Sequence, residues 1–137
     1  MAIDLGITQK KTKQTLNMYI NYAIGFRMTP EQVLYFSEYC FGTTDAISFR
    51  HERDNGDTLR IHDLKSGEIP AKMDQLRIYT ALFCLEYDIK PGDIFIEQRI
   101  YQFNDILTEN PTPEDILPIM DKIQKFDKIL RKLNGGQ

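Results

Sequence analysis

The spacing of hydrophobic positions changes along the chain between a helical and a strand-like period, and these changes divide it into elements. Apolar residues recur at helical spacing over residues 13–25, 71–87 and 112–134, which predicts three helices. The third segment opens with Thr112-Pro113, a favourable start for a helix. It closes with basic residues and Gly135-Gly136, as the helix dipole and glycine caps favour.

Stretches rich in β-branched and aromatic residues lie between these helices and predict strands. The predicted strands are residues 33–41, 46–49, 58–64 and 94–103. The second and third flank Asn55-Gly56, a strong hairpin signal because both residues tolerate a positive φ. Thr29-Pro30, in contrast, is predicted to open a short helical turn.

The resulting order is helix, three strands, helix, strand, helix. This order indicates an α/β protein with a central mixed sheet of about four strands flanked by helices. A length of 137 residues is typical of one domain, so residues 1–137 are predicted to fold as a single unit.

Composition narrows the classes of protein that remain. No apolar run approaches the roughly 20 residues of a membrane span, and the N-terminus lacks a signal-peptide pattern, so we expect a cytoplasmic protein without membrane contact. Cys40 and Cys84 lie in apolar stretches, which indicates buried reduced thiols. A net charge of −3 argues against tight non-specific DNA binding but does not exclude a nuclease, because a bound cation reverses the local charge.

Three short polar motifs stand out against this background. Gly42-Thr43-Thr44-Asp45 ends one predicted strand, and Asp63-Leu64-Lys65 ends the next. Residues two apart on a strand share a face, so Asp63 and Lys65 project together while Leu64 points into the core. Gln75 and Tyr79 lie four apart on the following helix and also share a face.

The two carboxylates suit a divalent metal ion. Mg²⁺ and Mn²⁺ bind through one or two carboxylates together with water and substrate phosphate. The hairpin brings Asp45 and Asp63 side by side, and a backbone carbonyl near Leu64 is a further candidate ligand.

The remaining motif residues suit phosphodiester hydrolysis. Lys65 would orient or help deprotonate the attacking water and stabilise charge in the transition state. Gln75 and Tyr79 would hydrogen-bond the scissile strand or brace the carboxylates and the lysine.

The motifs, in this order, resemble those of the PD-(D/E)xK nuclease superfamily, in the RecB-type branch with phage-encoded and CRISPR-associated exonucleases. That branch has a G-x-x-D strand, a D-[YL]-K-[ST]-G strand and a Q-x-x-x-Y helix, which match residues 42–45, 63–67 and 75–79. The resemblance implies a restriction-endonuclease-like core and a Mg²⁺- or Mn²⁺-dependent DNase, an exonuclease or end-processing enzyme of phage recombination or replication. It would then act on DNA, in the cytoplasm of a bacterial host. By this similarity Asp45, Asp63 and Lys65 are catalytic, the two aspartates bind metal, and Gln75 and Tyr79 belong to the site.

Two other polar residues lie near the motifs. Glu38, on the strand before the first motif, is a further candidate metal ligand, whereas His62 points to the opposite strand face and is assigned a structural role. No histidine precedes the first motif, although related branches place a His or Glu on an N-terminal helix. The alternative function is therefore a nuclease-fold module that binds DNA or protein and needs a partner, or a further N-terminal segment, to complete its site.

Overall fold

A computed structural model describes residues 2–135, with side chains from Lys13 onward. The helices are α1 Ala2–Gly25, α2 Asp74–Glu86 and α3 Pro113–Leu133. The strands are β1 Thr29–Pro30, β2 Val33–Ser37, β3 Cys40–Thr43, β4 Ala46–Glu52, β5 Gly56–Leu64, β6 Phe95–Gln102 and β7 Asp105–Glu109. The α/β class is confirmed, and the three predicted helices are present with adjusted bounds. Gly135 has a φ of 76° just beyond α3, and Gly136 lies outside the described residues.

The main sheet is mixed, with the strand order β1-β4-β5-β6-β7. Strands β5 and β6 run parallel, joined through α2, and the other neighbours pair antiparallel. Strands β2 and β3 form a separate two-stranded sheet that packs on α2. The carboxyl end of β5, where the D-x-K motif lies, therefore opens towards the start of α2.

One face of the main sheet carries the apolar core. Side chains that alternate along β5 and β6, such as Leu59, Ile61 and Ile100, pack against Leu76 and Phe83 of α2. Helix α3 covers the next part of this face around the buried Ile116. Because Asp63 continues the same alternation beyond Ile61, it reaches the rim of the core and not open solvent.

The opposite face of the sheet is buried but charged, and α1 covers it. The carboxylate of Glu97 lies 2.6 Å from Arg60 Nη1, 3.0 Å from Arg99 Nε and 3.1 Å from His62 Nε2. Phe26 of α1 lies over the Arg60 guanidinium, with 3.9 Å from its carbon to the ring centroid. The ion pairs thus lie within β5 and β6, and α1 covers them with aromatic rings that make cation–π and ring contacts.

The strand count differs from the prediction of about four. The predicted strand 33–41 is divided into β2 and β3 by a turn at Glu38-Tyr39, and β7 was not predicted at all. Thr29-Pro30 does not open a helical turn but pairs with Ile47 and Ala46 as the short edge strand β1. The predicted hairpin is confirmed as β4 and β5, with Gly56 at a φ of 70°.

Within residues 2–135, no helix combines the length and the apolar character that crossing a membrane requires.

Candidate active site

The two predicted carboxylates meet because of the register of β4 and β5. Ala46 pairs with His62, so the next antiparallel pair outward consists of Asp45 and Asp63. Side chains of directly opposed residues lie on the same face of a sheet, so the two carboxylates lie side by side, and Asp45 contributes to the raised pKa of Asp63. The backbone N–H of Leu64 donates to Asp45 Oδ2 at 2.9 Å, which fixes the Asp45 side chain at the end of β5.

Lys65 extends the parallel ladder by one residue beyond β5. Its backbone N–H donates to the carbonyl of Tyr101 at 2.9 Å, so the residue is held although it lies past the strand end. Its Nζ is 3.0 Å from Asp63 Oδ2 and 3.4 Å from Gln75 Oε1. The ammonium therefore lies between the strand motif and the helix motif.

The helix motif is joined by its own hydrogen bond. Gln75 Nε2 donates to the Tyr79 hydroxyl at 2.8 Å, as the four-residue spacing on α2 allows. Contacts thus run without a break from Asp45 through Asp63, Lys65 and Gln75 to Tyr79. The structure brings together all five side chains that the sequence placed in one site.

Burial makes the charges of this cluster depend on one another. Burial, followed by the hydrogen bond with Asp45, raises the pKa of Asp63 to about 6, although the Lys65 ammonium acts in the opposite direction. The ion pair with Asp63 in turn raises the pKa of Lys65. At neutral pH Lys65 is therefore cationic and acts as a hydrogen-bond donor and positive charge, not as a free base.

The glycine of the first motif also has a physical role. A Cβ added to Gly42 would lie 2.6 Å from Cε1 of Tyr79, closer than two carbon atoms tolerate. The absence of a side chain at Gly42 is what lets β3 pack on the Tyr79 ring, which connects the first motif with the third.

Two contributors to the site were not predicted. Tyr19 of α1 lies edge-on to Tyr101 with 5.6 Å between ring centroids. Burial, followed by the charges of Asp45 and Asp63, raises the pKa of Tyr19 to about 12. Helix α1 thus supplies a neutral hydroxyl near the carboxylates. The helical spacing of α1 gave no reason to single out this tyrosine, since the contact depends on tertiary packing.

Gln102 is the second contributor that the sequence did not indicate. Its side-chain amide donates to the carbonyls of Gly67 and Ile69, and its oxygen accepts from the N–H of Ala71. These bonds fix the loop that connects Lys65 with α2. A glutamine near the end of a predicted strand carries no local signal for such a role.

The remaining candidates lie elsewhere. Glu38 is exposed in the turn between β2 and β3, at the opposite end of that hairpin from Asp45, and is not brought to the site. Leu64 is half-buried and is not part of the core into which it was predicted to point. His62 lies on the opposite sheet face, where Glu97 and Tyr101 contact its two ring nitrogens.

The donor set of the site is small and consists of oxygen atoms. Among the described residues, no group of three or more His, Cys, Asp or Glu side chains is placed to hold a metal ion. Two adjacent carboxylates nevertheless match the protein share of a Mg²⁺ site, where water and substrate phosphate complete the coordination. Burial and the neighbouring Asp45 raise the pKa of Asp63, and a bound cation would act in the opposite direction by favouring the charged carboxylate.

Comparisons of the chain with protein-family models, with curated proteins and with solved structures find no match.

Proposed function

We propose that this chain is a Mg²⁺- or Mn²⁺-dependent deoxyribonuclease with a restriction-endonuclease-like core, acting as an exonuclease or end-processing enzyme in phage recombination or replication. The observation that carries the proposal is the contact of Lys65 with Asp63 at 3.0 Å, beside Asp45 and the Gln75–Tyr79 pair. Hydrolysis of a phosphodiester requires positive charge at the non-bridging oxygens, a positioned water and a stabilised leaving oxygen.

Asp45 and Asp63 are the residues that would hold the cation, with the Leu64 carbonyl as a further ligand. When bound, the cation supplies Lewis-acid charge to the phosphate oxygens. Asp45 keeps its position through the Leu64 N–H bond, which leaves the rest of its carboxylate available. The small donor set suits a metal that retains water ligands.

Lys65 supplies a positive charge beside the two aspartates. Its ammonium has three donors, so it can orient a water with one while another faces the phosphate oxygens. Its long side chain is about two-fifths exposed, so it faces the solvent side where the substrate would approach. Gln75 and Tyr79 limit its positions, since Gln75 Oε1 accepts from Nζ and is itself held through Tyr79.

A cleavage assay with metal controls tests the proposal. Linear and circular DNA, single- and double-stranded, would be incubated with the protein in Mn²⁺, Mg²⁺ or EDTA. We expect degradation of linear DNA in either metal and none in EDTA. Retention of full activity in Asp63→Asn, or cleavage unaffected by EDTA, would contradict the proposal.

A thermal melt tests the metal site separately from turnover. We expect Mn²⁺ to raise the melting temperature of the native chain but not that of the Asp45→Ala/Asp63→Ala variant, because only the native chain has the two adjacent carboxylates. An equal rise in both proteins would show that the metal binds elsewhere.

A second candidate function keeps the fold without turnover. In it the chain is a DNA-binding or protein-interaction module whose two carboxylates need a partner, or a further N-terminal segment, to complete the site. A Mn²⁺-dependent rise in melting temperature without cleavage of any DNA substrate would favour this second function over the first.

A further inference from the structure

A cavity of about 490 Å³ lies beside β1 and β4 of the main sheet. Phe83 and Tyr87, near the end of α2, form part of its wall, whereas Gln75 and Tyr79 of the candidate active site lie near the start of that helix. Eight residues separate Tyr79 from Tyr87, which corresponds to roughly 12 Å along the helix axis. The cavity is therefore a distinct site, and its size is within the usual range for small-molecule pockets.

The wall of the cavity is aromatic. The ring of Phe83 lies 5.2 Å from that of Phe49 and 4.9 Å from that of Tyr87, centroid to centroid. Phe83 is buried, while Phe49 and Tyr87 remain partly exposed and accessible. Such a wall favours a flat, apolar ring as ligand, because stacking and edge contacts add to the burial of apolar surface.

The rim of the cavity is cationic. Arg50 Nη2 donates to the backbone carbonyl of Arg27 at 3.0 Å, which holds the Arg50 guanidinium beside Arg27. Within the described part of the chain, neither arginine forms an ion pair with a carboxylate. Both arginines line the cavity without a carboxylate partner, which favours an anion, and guanidinium groups suit phosphate in particular.

The backbone conformation of Arg27 is a second observation that concerns the cavity rim. Helix α1 ends with bonds from Arg27 N to Ile24 O at 3.0 Å and from Met28 N to Ala23 O at 2.9 Å, which places Arg27 at the position that glycine usually occupies. Its φ is 54°, a conformation that is unfavourable by about 1 kcal/mol for a residue with a side chain. An arginine is thus kept at the rim in spite of local strain.

We propose that this cavity binds a nucleotide, with the base against Phe49, Phe83 and Tyr87 and the phosphate between Arg27 and Arg50. Gln32, whose amide donates to the Tyr87 hydroxyl at 3.4 Å, offers polar atoms to the edge of the base. The proposal follows from the cavity alone and does not depend on cleavage at Asp63. An extended peptide along the β4 edge would use the same surface but has no need of two cations beside an aromatic wall.

Calorimetric titration with deoxyadenosine monophosphate in EDTA tests the proposal, with deoxyadenosine and inorganic phosphate as separate ligands. We expect the nucleotide to bind at least about tenfold more tightly than either part alone, because only the nucleotide engages both the wall and the rim. Arg27→Gly and Arg50→Gln should each weaken binding about tenfold, whereas Arg53→Gln, a matched charge removal in the β4–β5 turn, should not.

The Arg27→Gly variant separates loss of binding from loss of fold. Glycine accepts a positive φ, so this variant should melt at a higher temperature than the native chain while it binds the nucleotide less well. Asp63→Asn should bind the nucleotide as the native chain does, whether or not the chain cleaves DNA. Absence of nucleotide binding, phosphate bound as tightly as the nucleotide, or binding unchanged in both arginine variants would overturn the proposal.

Discussion

Lys65 is held in the candidate active site through both its backbone and its side chain. Its backbone is fixed by the β6 ladder, and its ammonium contacts one carboxylate and one amide oxygen. The two aspartates, in contrast, are held by the pairing of β4 with β5 and by the Leu64 N–H that donates to Asp45. Removing the lysine side chain should therefore change the charge of the site without moving its carboxylates.

Lys65→Ala is expected to lower the rate of DNA cleavage by roughly a hundred- to thousand-fold, the usual effect of losing one positioned electrostatic group. The Mn²⁺-dependent rise in melting temperature should remain, because the carboxylates are unchanged. Lys128→Ala, on the exposed side of α3, is the control and should cleave normally. Cleavage by Lys65→Ala at the native rate would show that the lysine is not catalytic.

Gly42→Ala tests the contact between the first and third motifs. The new methyl group would overlap the Tyr79 ring, so we expect a loss of stability of roughly 1–3 kcal/mol and a weaker hold on Gln75 and Lys65. Gly67→Ala is the matched control, since a Cβ there meets no atom within 4 Å. Urea denaturation and cleavage rates should change for the first variant only, and equal behaviour of the two variants would contradict this role of Gly42.

For individual residues, the sequence predicted the side-chain positions that a strand or helix repeat determines. The alternation of β5 placed Asp63 and Lys65 on one face, and the helical repeat placed Gln75 beside Tyr79, as the structure confirms. Tyr19 and Gln102 escaped prediction because their contacts join residues that are distant in sequence and follow no local period.

Among the elements, β5 and β6 are joined, on the sheet face that α1 covers, by ion pairs centred on Glu97. Burial alone would raise the pKa of Glu97, but hydrogen bonds from His62 and Arg60 and the charge of Arg99 outweigh it, and the pKa falls to about 2. A carboxylate with a lowered pKa stabilises the fold above its ordinary pKa near 4.5, and this contribution disappears as the pH falls towards 2.

Glu97→Gln should consequently destabilise the protein at pH 7 by about 3 kcal/mol, and the difference from the native chain should shrink steadily between about pH 5 and pH 2. Urea denaturation at several pH values measures this difference. Glu68→Gln, in an exposed loop, is the control and should show a small difference that varies little with pH. A difference for Glu97→Gln that stays constant with pH would contradict the assignment.

The elements that the sequence missed have unusual turns. Phe103 and Asn104 connect β6 with β7, and both have a positive φ. Because a phenylalanine rarely adopts that conformation, the sequence of this pair does not predict a hairpin turn. The turn between β2 and β3 lacks glycine and proline, which concealed the break in an otherwise continuous aromatic stretch. The Asn55-Gly56 turn had the expected chemistry and was predicted correctly.

For the whole molecule, the distribution of positive charge limits how DNA would be held. Arg77, on the helix that carries Gln75 and Tyr79, is bound through two nitrogens to Glu109 and is not available. Lys72 is exposed in the loop before α2, whereas the exposed Arg50 and Arg53 lie towards the β4–β5 turn, at the opposite end of that hairpin from Asp45 and Asp63. With so few phosphate contacts, most of the affinity at the candidate active site should come from a cation bridging the carboxylates and the phosphate.

Binding of duplex DNA by Lys65→Ala should accordingly show a shallow salt dependence. Each phosphate contact contributes about −0.9 to the slope of log affinity against log salt, so three contacts give about −3. Affinity should also be higher in Ca²⁺ than in EDTA. Fluorescence anisotropy at several salt concentrations measures both, and a slope of about −6 that EDTA leaves unchanged would indicate a basic track elsewhere on the surface.

The contact of Gly42 with Tyr79 has one further consequence, because Gly42 belongs to the two-stranded sheet that forms no ladder with the main one. Small sheets at the periphery open locally at a lower free energy than the unfolding of a whole domain. Warming should thus release Tyr79, and with it Gln75 and Lys65, while the main sheet is still intact. The temperature at which the site loses its arrangement would then be set by the opening of β2 and β3. Hydrogen exchange in this hairpin would detect that opening before any loss of overall secondary structure.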